Sequence, residues 1–283
     1  MIDFTDNNEL YSAAQGYGKL WHTFTVNGLC IPFSSAWKNI AVNLSGGADS
    51  ACLTMLLCEH IRSEKLSTKI HIVSFVRCWE TRPWQNPIAL ALYAEFQRRY
   101  PEIIADRHEV YFPPELEMGA SGIILDGRSG DQIIGGSYNR YLSARLGMQA
   151  VFNATSQNPD MDPPAVDRLL TRDKKAADAV SHDLIDSNSM ICTPFAFVQK
   201  DWILAQYQLF SATDLLAMTR SCEGDLHGNL RGIVDPVTYE FDPSQTLPIC
   251  NTCFWCKERQ WATLRCDAVI SDIQQQGQIT HAG

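Results

Sequence analysis

Apolar and polar runs alternate along this chain so that short β-prone stretches are separated by helical ones. Ile40-Ala41-Val42-Asn43-Leu44 is a compact apolar run, and the turn Ser45-Gly46-Gly47 follows it. An uninterrupted apolar segment from Ala51 to Cys58 then predicts a helix reaching Ser63. Lys69 to Val76 predicts a second, fully buried strand, and residues 88–100 carry a helical period ended by Pro101. Asp106–Phe112 predicts a third strand and Gly122–Asp126 a fourth.

Upstream, Trp21–Phe33 alternates as a hairpin would around Asn27-Gly28, a pair suited to a two-residue β-turn. Residues 7–20 predict a short helix weakened by Gly16 and Gly18. Residues 153–164 read as a loop and 165–186 as a charged, solvated helix. Strands alternating with helices call for an α/β fold with a doubly wound parallel sheet, Rossmann-like in its winding. The expected organisation is an extension over residues 1–39, a nucleotide-binding core over 40–200, and a helical, metal-binding region over 201–283.

The strand, glycine turn and helix at residues 40–63 carry the first chemistry. Unpaired N–H groups and the helix dipole converge at such a turn, which makes it an anion site. Gly46 and Gly47 let the backbone close around phosphate oxygens, and Ser45 and Ser50 add hydroxyl donors. Asp49 repels a bare phosphate, so it either caps the helix or faces Mg²⁺. Ser74 and Phe75, where the second strand ends, are candidate contacts for adenine. The glycine-rich segment 126–138 falls at the same rim. Asp131 within it is a candidate for metal or pyrophosphate, with Arg128 and Arg140 as partners for negative phosphates. Lys200, after Thr193-Pro194-Phe195, could reach a phosphate or be an ordinary exposed helical lysine.

Composition narrows the classes. The chain has 283 residues, 45% hydrophobic and 19% charged, as in a globular protein. A net charge of −9 and pI near 5.2 argue against a broad nucleic-acid-binding surface. No stretch approaches the roughly 20 apolar residues of a membrane span, and a cytoplasmic protein is expected. Of ten cysteines, Cys30, Cys52, Cys58, Cys78 and Cys192 are scattered in largely apolar surroundings, as buried packing residues are. Cys250, Cys253 and Cys256 follow one another at two-residue intervals, and Cys222 lies upstream. Four thiolates suit tetrahedral Zn²⁺, with an iron–sulfur cluster as the competing assignment. A closed four-thiolate zinc shell is structural, holding the C-terminal region to the sheet.

The string Ser45-Gly46-Gly47-Ala48-Asp49-Ser50 resembles the pyrophosphate loop of the PP-loop ATP pyrophosphatases, which have the adenine nucleotide alpha hydrolase-like fold. Taken with Thr193-Pro194, Lys200, Thr219-Arg220-Ser221-Cys222 and the three-cysteine run before Lys257-Glu258-Arg259, it is similar to the 7-cyano-7-deazaguanine synthase (QueC) family.

The resemblance implies an ATP- and Mg²⁺-dependent enzyme that adenylates the carboxylate of 7-carboxy-7-deazaguanine, releases pyrophosphate, and uses ammonia to form an amide and then a nitrile. It implies that Ser45, Gly46, Gly47, Asp49, Ser50, Ser74 and Phe75 hold the nucleotide and that Asp49, Asp131 and Lys200 assist the chemistry. Cys222, Cys250, Cys253 and Cys256 would hold zinc. A homodimer is expected. The chain departs from the family in carrying Ser129-Gly130-Asp131-Gln132 where Tyr-Pro-Asp-Cys-Arg is expected, and in the long interval between Cys222 and Cys250. Both changes fall where the acceptor would be chosen. The alternatives are therefore a ligase joining the activated deazapurine to a protein or nucleic-acid amine in antiviral defence, a tRNA-modifying PP-loop enzyme, and a non-enzymatic nucleotide-binding module.

Overall fold

The computed structural model describes residues 22–76, 85–111, 138, 141, 146–161, 184–186, 189–222 and 249–280. The chain opens with an antiparallel hairpin, β1 (His22–Val26) and β2 (Leu29–Phe33). Its turn has Asn27 at φ 48° and Gly28 at φ 85°. Two successive positive φ values match the right-handed twist of the flanking strands, which is why an Asn-Gly pair sits here.

Among the described residues the main sheet has six strands in the order β5-β4-β3-β6-β8-β7. These are β3 (Asn39–Asn43), β4 (Lys69–Val76), β5 (Ile104–Tyr111), β6 (Ala150–Phe152), β7 (Leu184–Asp186) and β8 (Ser189–Cys192). Strands β5, β4, β3, β6 and β8 are mutually parallel, and β7 adds an antiparallel edge. The helices are α1 (Ala48–Ser63), α2 (Gln85–Arg99), α3 (Lys200–Leu209), α4 (Thr213–Met218) and α5 (Phe254–Thr280). This is the expected doubly wound α/β fold.

Residue alternation assigns the two faces of the sheet. Ile40 and Val42 of β3, Ile70 and Ile72 of β4, and Ala150 and Phe152 of β6 join one large core. That core includes Leu53, Leu56 and Leu57 of α1, Ile203 and Tyr207 of α3, and Ala262 of α5. Ala41, Val73 and Val151 face the other way, into a smaller cluster with Val110 and Met148. A period of two in every central strand gives each face its own apolar layer, as a sheet covered on both sides requires.

Several elements differ from expectation. Helix α1 begins at Ala48, three residues early, so Asp49 and Ser50 lie in its first turn. Gly47 is its N-cap, with no capping side chain, so Asp49 is not the cap. Strand β6 at Ala150–Phe152 was not expected, being too short for periodicity to reveal. Residues 122–126 and the helix predicted at 7–20 lie outside the described residues. Of the charged helix expected over 165–186, only Leu184–Asp186 lies among the described residues, and it forms the edge strand β7. Among the described residues, no helix is long and apolar enough to cross a membrane.

Helix α3 is buried along most of its length and ties α1 to the sheet, with Tyr207 Oη donating to the Ala48 carbonyl at 2.6 Å. Tyr207→Phe removes that donor from a buried carbonyl and is expected to cost about 1 kcal/mol, read as a lower urea midpoint at unchanged slope.

Candidate functional site

The chain runs from β3 outward to β4 and β5, then crosses back to place β6 on the opposite side of β3. The winding therefore reverses between β3 and β6. At such a switch point, beyond the carboxyl ends of the strands, connections diverge and leave a crevice. The loop after β3 and the segment after β6 both emerge there.

The first of these is the Ser-Gly-Gly turn. Gly46 has φ +79°, and a Cβ built on it would lie 3.1 Å from both the Gln85 carbonyl oxygen and Ile88 Cγ2. Only glycine fits both the backbone angle and the space. Ser50 folds back over the turn: its Oγ lies 3.2 Å from the Gly47 carbonyl and accepts from the Ser45 amide at 3.1 Å, with Ser45 Oγ also 3.1 Å away. The two serines thus brace the loop at the dipole-positive end of α1.

Asp49 does not cap the helix; its carboxylate is held between two side chains. Its Oδ1 accepts from Lys200 Nζ at 2.5 Å and its Oδ2 from Ser156 Oγ at 3.1 Å. Ser156 lies on the segment following β6, so this contact bridges the switch point. Lys200, treated in the sequence as a plausible exposed helical lysine, is 1% exposed. Its ammonium also lies 3.5 Å from Glu258 Oε2, whose side chain is fully buried. Sequence reasoning brought Asp49 and Lys200 to the same site but missed Ser156 and Glu258. No spacing rule points to a lone serine in a loop, or to a glutamate two places after a cysteine.

At the β4 end, the pairing of β3 stops at Asn43–Val73, while β4 continues through Ser74 and Phe75 to Val76. This stretch flanks the crevice. The Ser74 hydroxyl is committed within the protein: it donates to the Leu44 carbonyl at 3.2 Å and accepts from Arg107 Nε at 3.3 Å. Phe75 packs against the smaller core cluster. The Ser74 hydroxyl is thus already engaged, while Phe75 is only partly buried. Asp131, with Arg128 and Arg140, lies outside the described residues.

The strand-like passage Thr219–Cys222 joins this site to the cysteines. Arg220 N–H donates to the Gly46 carbonyl at 2.9 Å. Arg259, on α5, clamps the passage by donating to the Thr219 carbonyl and Oγ1 at 3.0 and 3.1 Å and to the Leu216 carbonyl at 3.0 Å. Burial lowers the Arg259 pKa, which the nearby Tyr207 and Asp49 partly oppose.

Immediately beyond, the sulfur atoms of Cys222, Cys250, Cys253 and Cys256 all lie within 4.8 Å of one another. Asn251, at φ 58°, makes the tight turn that gathers them, a left-handed conformation that asparagine tolerates. Cys250 Sγ is 3.5 Å from Cys222 Sγ and 3.8 Å from Cys256 Sγ. Burial pushes the Cys250 thiol up, but amide donors from Thr252 and Cys253 outweigh it and bring the group down to about 6. Burial, together with hydrogen bonds to Cys222 and Cys253, pushes Cys256 up. Four thiols gathered this closely could take the corners of a tetrahedral metal site. Cys30, Cys52, Cys58 and Cys192 are buried and lie elsewhere, as expected of packing residues, and Cys78 is outside the described residues.

No family model matches the chain, and no curated protein matches it. Among solved structures, it is similar to the U34-tRNA thiolase NcsA from Methanococcus maripaludis with its 4Fe-4S cluster, at 12% identity and TM-score 0.45, over 84% of this chain and 71% of that one. It is also similar to a 4-thiouridine synthetase in complex with RNA and ATP, at 12% identity and TM-score 0.39, over 83% and 53%. A third likeness is to the NAD+ synthetase of Burkholderia pseudomallei, at 13% identity and TM-score 0.32, over 99% and 90%. All three are remote, and the functional reading rests on this chain's own residues.

Cys253→Ser removes one corner of the tetrahedron. Metal content per chain and thermal midpoint are expected to fall together, since structural metal binding is folding free energy. Plasma emission spectrometry and calorimetry on the same preparation check this.

Proposed function

We propose that the chain is an ATP-dependent enzyme of the PP-loop type that activates a carboxylate by adenylation, with 7-carboxy-7-deazaguanine as the substrate. The observation that carries this reading is the meeting of Asp49, Lys200 and Ser156 at the switch point, against a glycine loop that opens a helix. The amides after Gly46 and the start of α1 supply preorganised donors for a triphosphate tail. A substrate carboxylate oxygen attacks the α-phosphorus, the bond to the β-phosphate oxygen breaks, and pyrophosphate leaves with that electron pair. Ammonia or another amine then attacks the acyl carbon, AMP departs, and the amine's proton passes to solvent.

The buried Lys200 ammonium answers the charge growing on the departing pyrophosphate. Asp49 has an ion pair with Lys200 that it can exchange for Mg²⁺ held on the phosphates. Magnesium, when bound, supplies Lewis-acid neutralisation of those oxygens. Cys222, Cys250, Cys253 and Cys256 would hold the metal, which we assign as a structural Zn²⁺ because the four thiols are gathered closely.

A second reading, a tRNA-modifying enzyme, is favoured by one observation. Cys222 directly follows Ser221, so the thiolates stand close to the phosphate loop, where a sulfur-handling cluster would be useful. The acidic balance of the chain speaks for the small-molecule acceptor instead.

Pyrophosphate exchange into ATP, dependent on added 7-carboxy-7-deazaguanine, is the expected activity, with amide or nitrile formed when ammonia is present. Exchange that requires tRNA and is indifferent to the acid would replace this reading with the second. Asp49→Asn is expected to reduce exchange by at least about a hundredfold in a chain that still folds and keeps its zinc, with lowered stability because buried Lys200 loses one of its two carboxylate partners. Retained turnover would remove Asp49 from the mechanism.

A further inference from the structure

Strand β5 changes parity midway. Ile70 of β4 lies opposite Ile104, but Ile72 lies opposite Arg107 rather than Asp106, so one extra residue is taken up between the two pairs. The cores record the same slip: Ile104 packs in the large one, whereas Val110, of the same parity, packs in the small one. A bulge of this kind re-aims every side chain beyond it. Here it turns Arg107 toward the face that carries α1 and α2, where unbroken pairing would have put Asp106.

An arginine set there has to find partners, because a guanidinium withdrawn from water is destabilising unless its donors are satisfied. The Arg107 side chain is 8% exposed. Its Nε donates to Ser74 Oγ at 3.3 Å, and its two terminal nitrogens donate to Glu109 Oε1 and Asn86 Oδ1. Glu109 balances the charge. The other two partners belong to walls of the phosphate loop. Ser74 Oγ donates in turn to the carbonyl of Leu44, the residue that enters the loop, at 3.2 Å. Asn86 sits in the first turn of α2 beside Gln85, whose carbonyl oxygen stands 3.1 Å from where a Cβ on Gly46 would be.

We propose that Arg107 is a positioning residue for the nucleotide: it fixes the end of β4 against the start of α2, and so sets the opening in which the Ser-Gly-Gly turn closes on a phosphate tail. The proposal rests on the reading of that turn as an ATP loop given above. Arg107 acts through Ser74 and Asn86 rather than on phosphate, since each of its three side-chain nitrogens already donates within the protein. What it supplies is spacing. Loop amides are preorganised donors only where the oxygens will sit, and a misplacement of about 1 Å can cost on the order of a hundredfold in rate. The planar fork of arginine suits three directed bonds, whereas lysine keeps the charge and cannot reproduce them.

The test uses Arg107→Lys, Asn86→Ala, the double variant and, as a control, Arg99→Gln. Arg99 ties the far end of α2 to Glu95 and to Asp214 of α4, away from the loop. Each protein is titrated calorimetrically with MgATP, its urea midpoint is measured, and pyrophosphate exchange is followed with 7-carboxy-7-deazaguanine. ATP affinity is expected to fall about tenfold in Arg107→Lys and severalfold in Asn86→Ala, with KM for ATP rising in step and KM for the acid unchanged. The double variant is expected to be no weaker than Arg107→Lys, because both changes break one link. Arg99→Gln is expected to lower the midpoint and leave ATP affinity alone.

Wild-type ATP affinity in Arg107→Lys would overturn the proposal, as would losses that multiply in the double variant or an equal loss in Arg99→Gln. If Arg107→Lys does not fold, wild-type affinity in Asn86→Ala overturns it instead. Wild-type protein that binds ATP without acid-dependent exchange would refute the adenylation reading alone, and the ATP titrations would still decide the role of Arg107. Wild-type protein that binds no ATP would refute both.

Discussion

A lysine that is 1% exposed can remain an ammonium only if its surroundings replace the water it has lost. Here two carboxylates do so, Asp49 from the first turn of α1 and Glu258 from α5. Much of the architecture around the site follows from that arrangement. Helix α3 must begin at the switch point to deliver Lys200. Helix α5 must lie across α3 to deliver Glu258, and the phosphate loop must turn tightly enough to set Asp49 facing inward. With two negative groups around one positive one, the assembly suits an incoming cation better than a further anion.

Helix α5 is joined to α3 by more than apolar contact. Arg265 Nε donates to Asp201 Oδ2 at 2.9 Å, and its guanidinium lies 4.9 Å from the centroid of the Trp261 ring. Asp201 immediately follows Lys200, so the same helix turn that presents the lysine is anchored from behind. The hairpin contributes on the far side, where Trp202 Nε1 donates to the Asn27 carbonyl and Asn27 Nδ2 to Gln206 Oε1. The N-terminal turn of α3 is thus fixed by three separate elements.

The local parts of this fold were legible in the sequence. Strands β3 and β4, helices α1 and α2, the Asn27-Gly28 turn and the phosphate loop all announce themselves through period, glycine or proline. The sulfur tetrahedron was legible too, because three of its ligands are set by spacing. What escaped was either short or long-range. Strand β6 has three residues and β8 four, below the length at which alternation means anything. The burial of Lys200 and the contacts of Ser156 and Glu258 depend on elements more than a hundred residues apart in one case and fifty-eight in another. Nothing local to a lysine at a helix start distinguishes a solvated ammonium from an enclosed one.

Helix α5 begins one residue after Cys253, carries Cys256 in its first turn and sets Glu258 and Arg259 in the turn that faces the phosphate loop. An ion held by the cysteines and a ligand held by the loop would therefore bear on the same few residues of one rigid rod. Thermodynamic reciprocity would then make any effect of one occupancy on the other equal in the reverse direction.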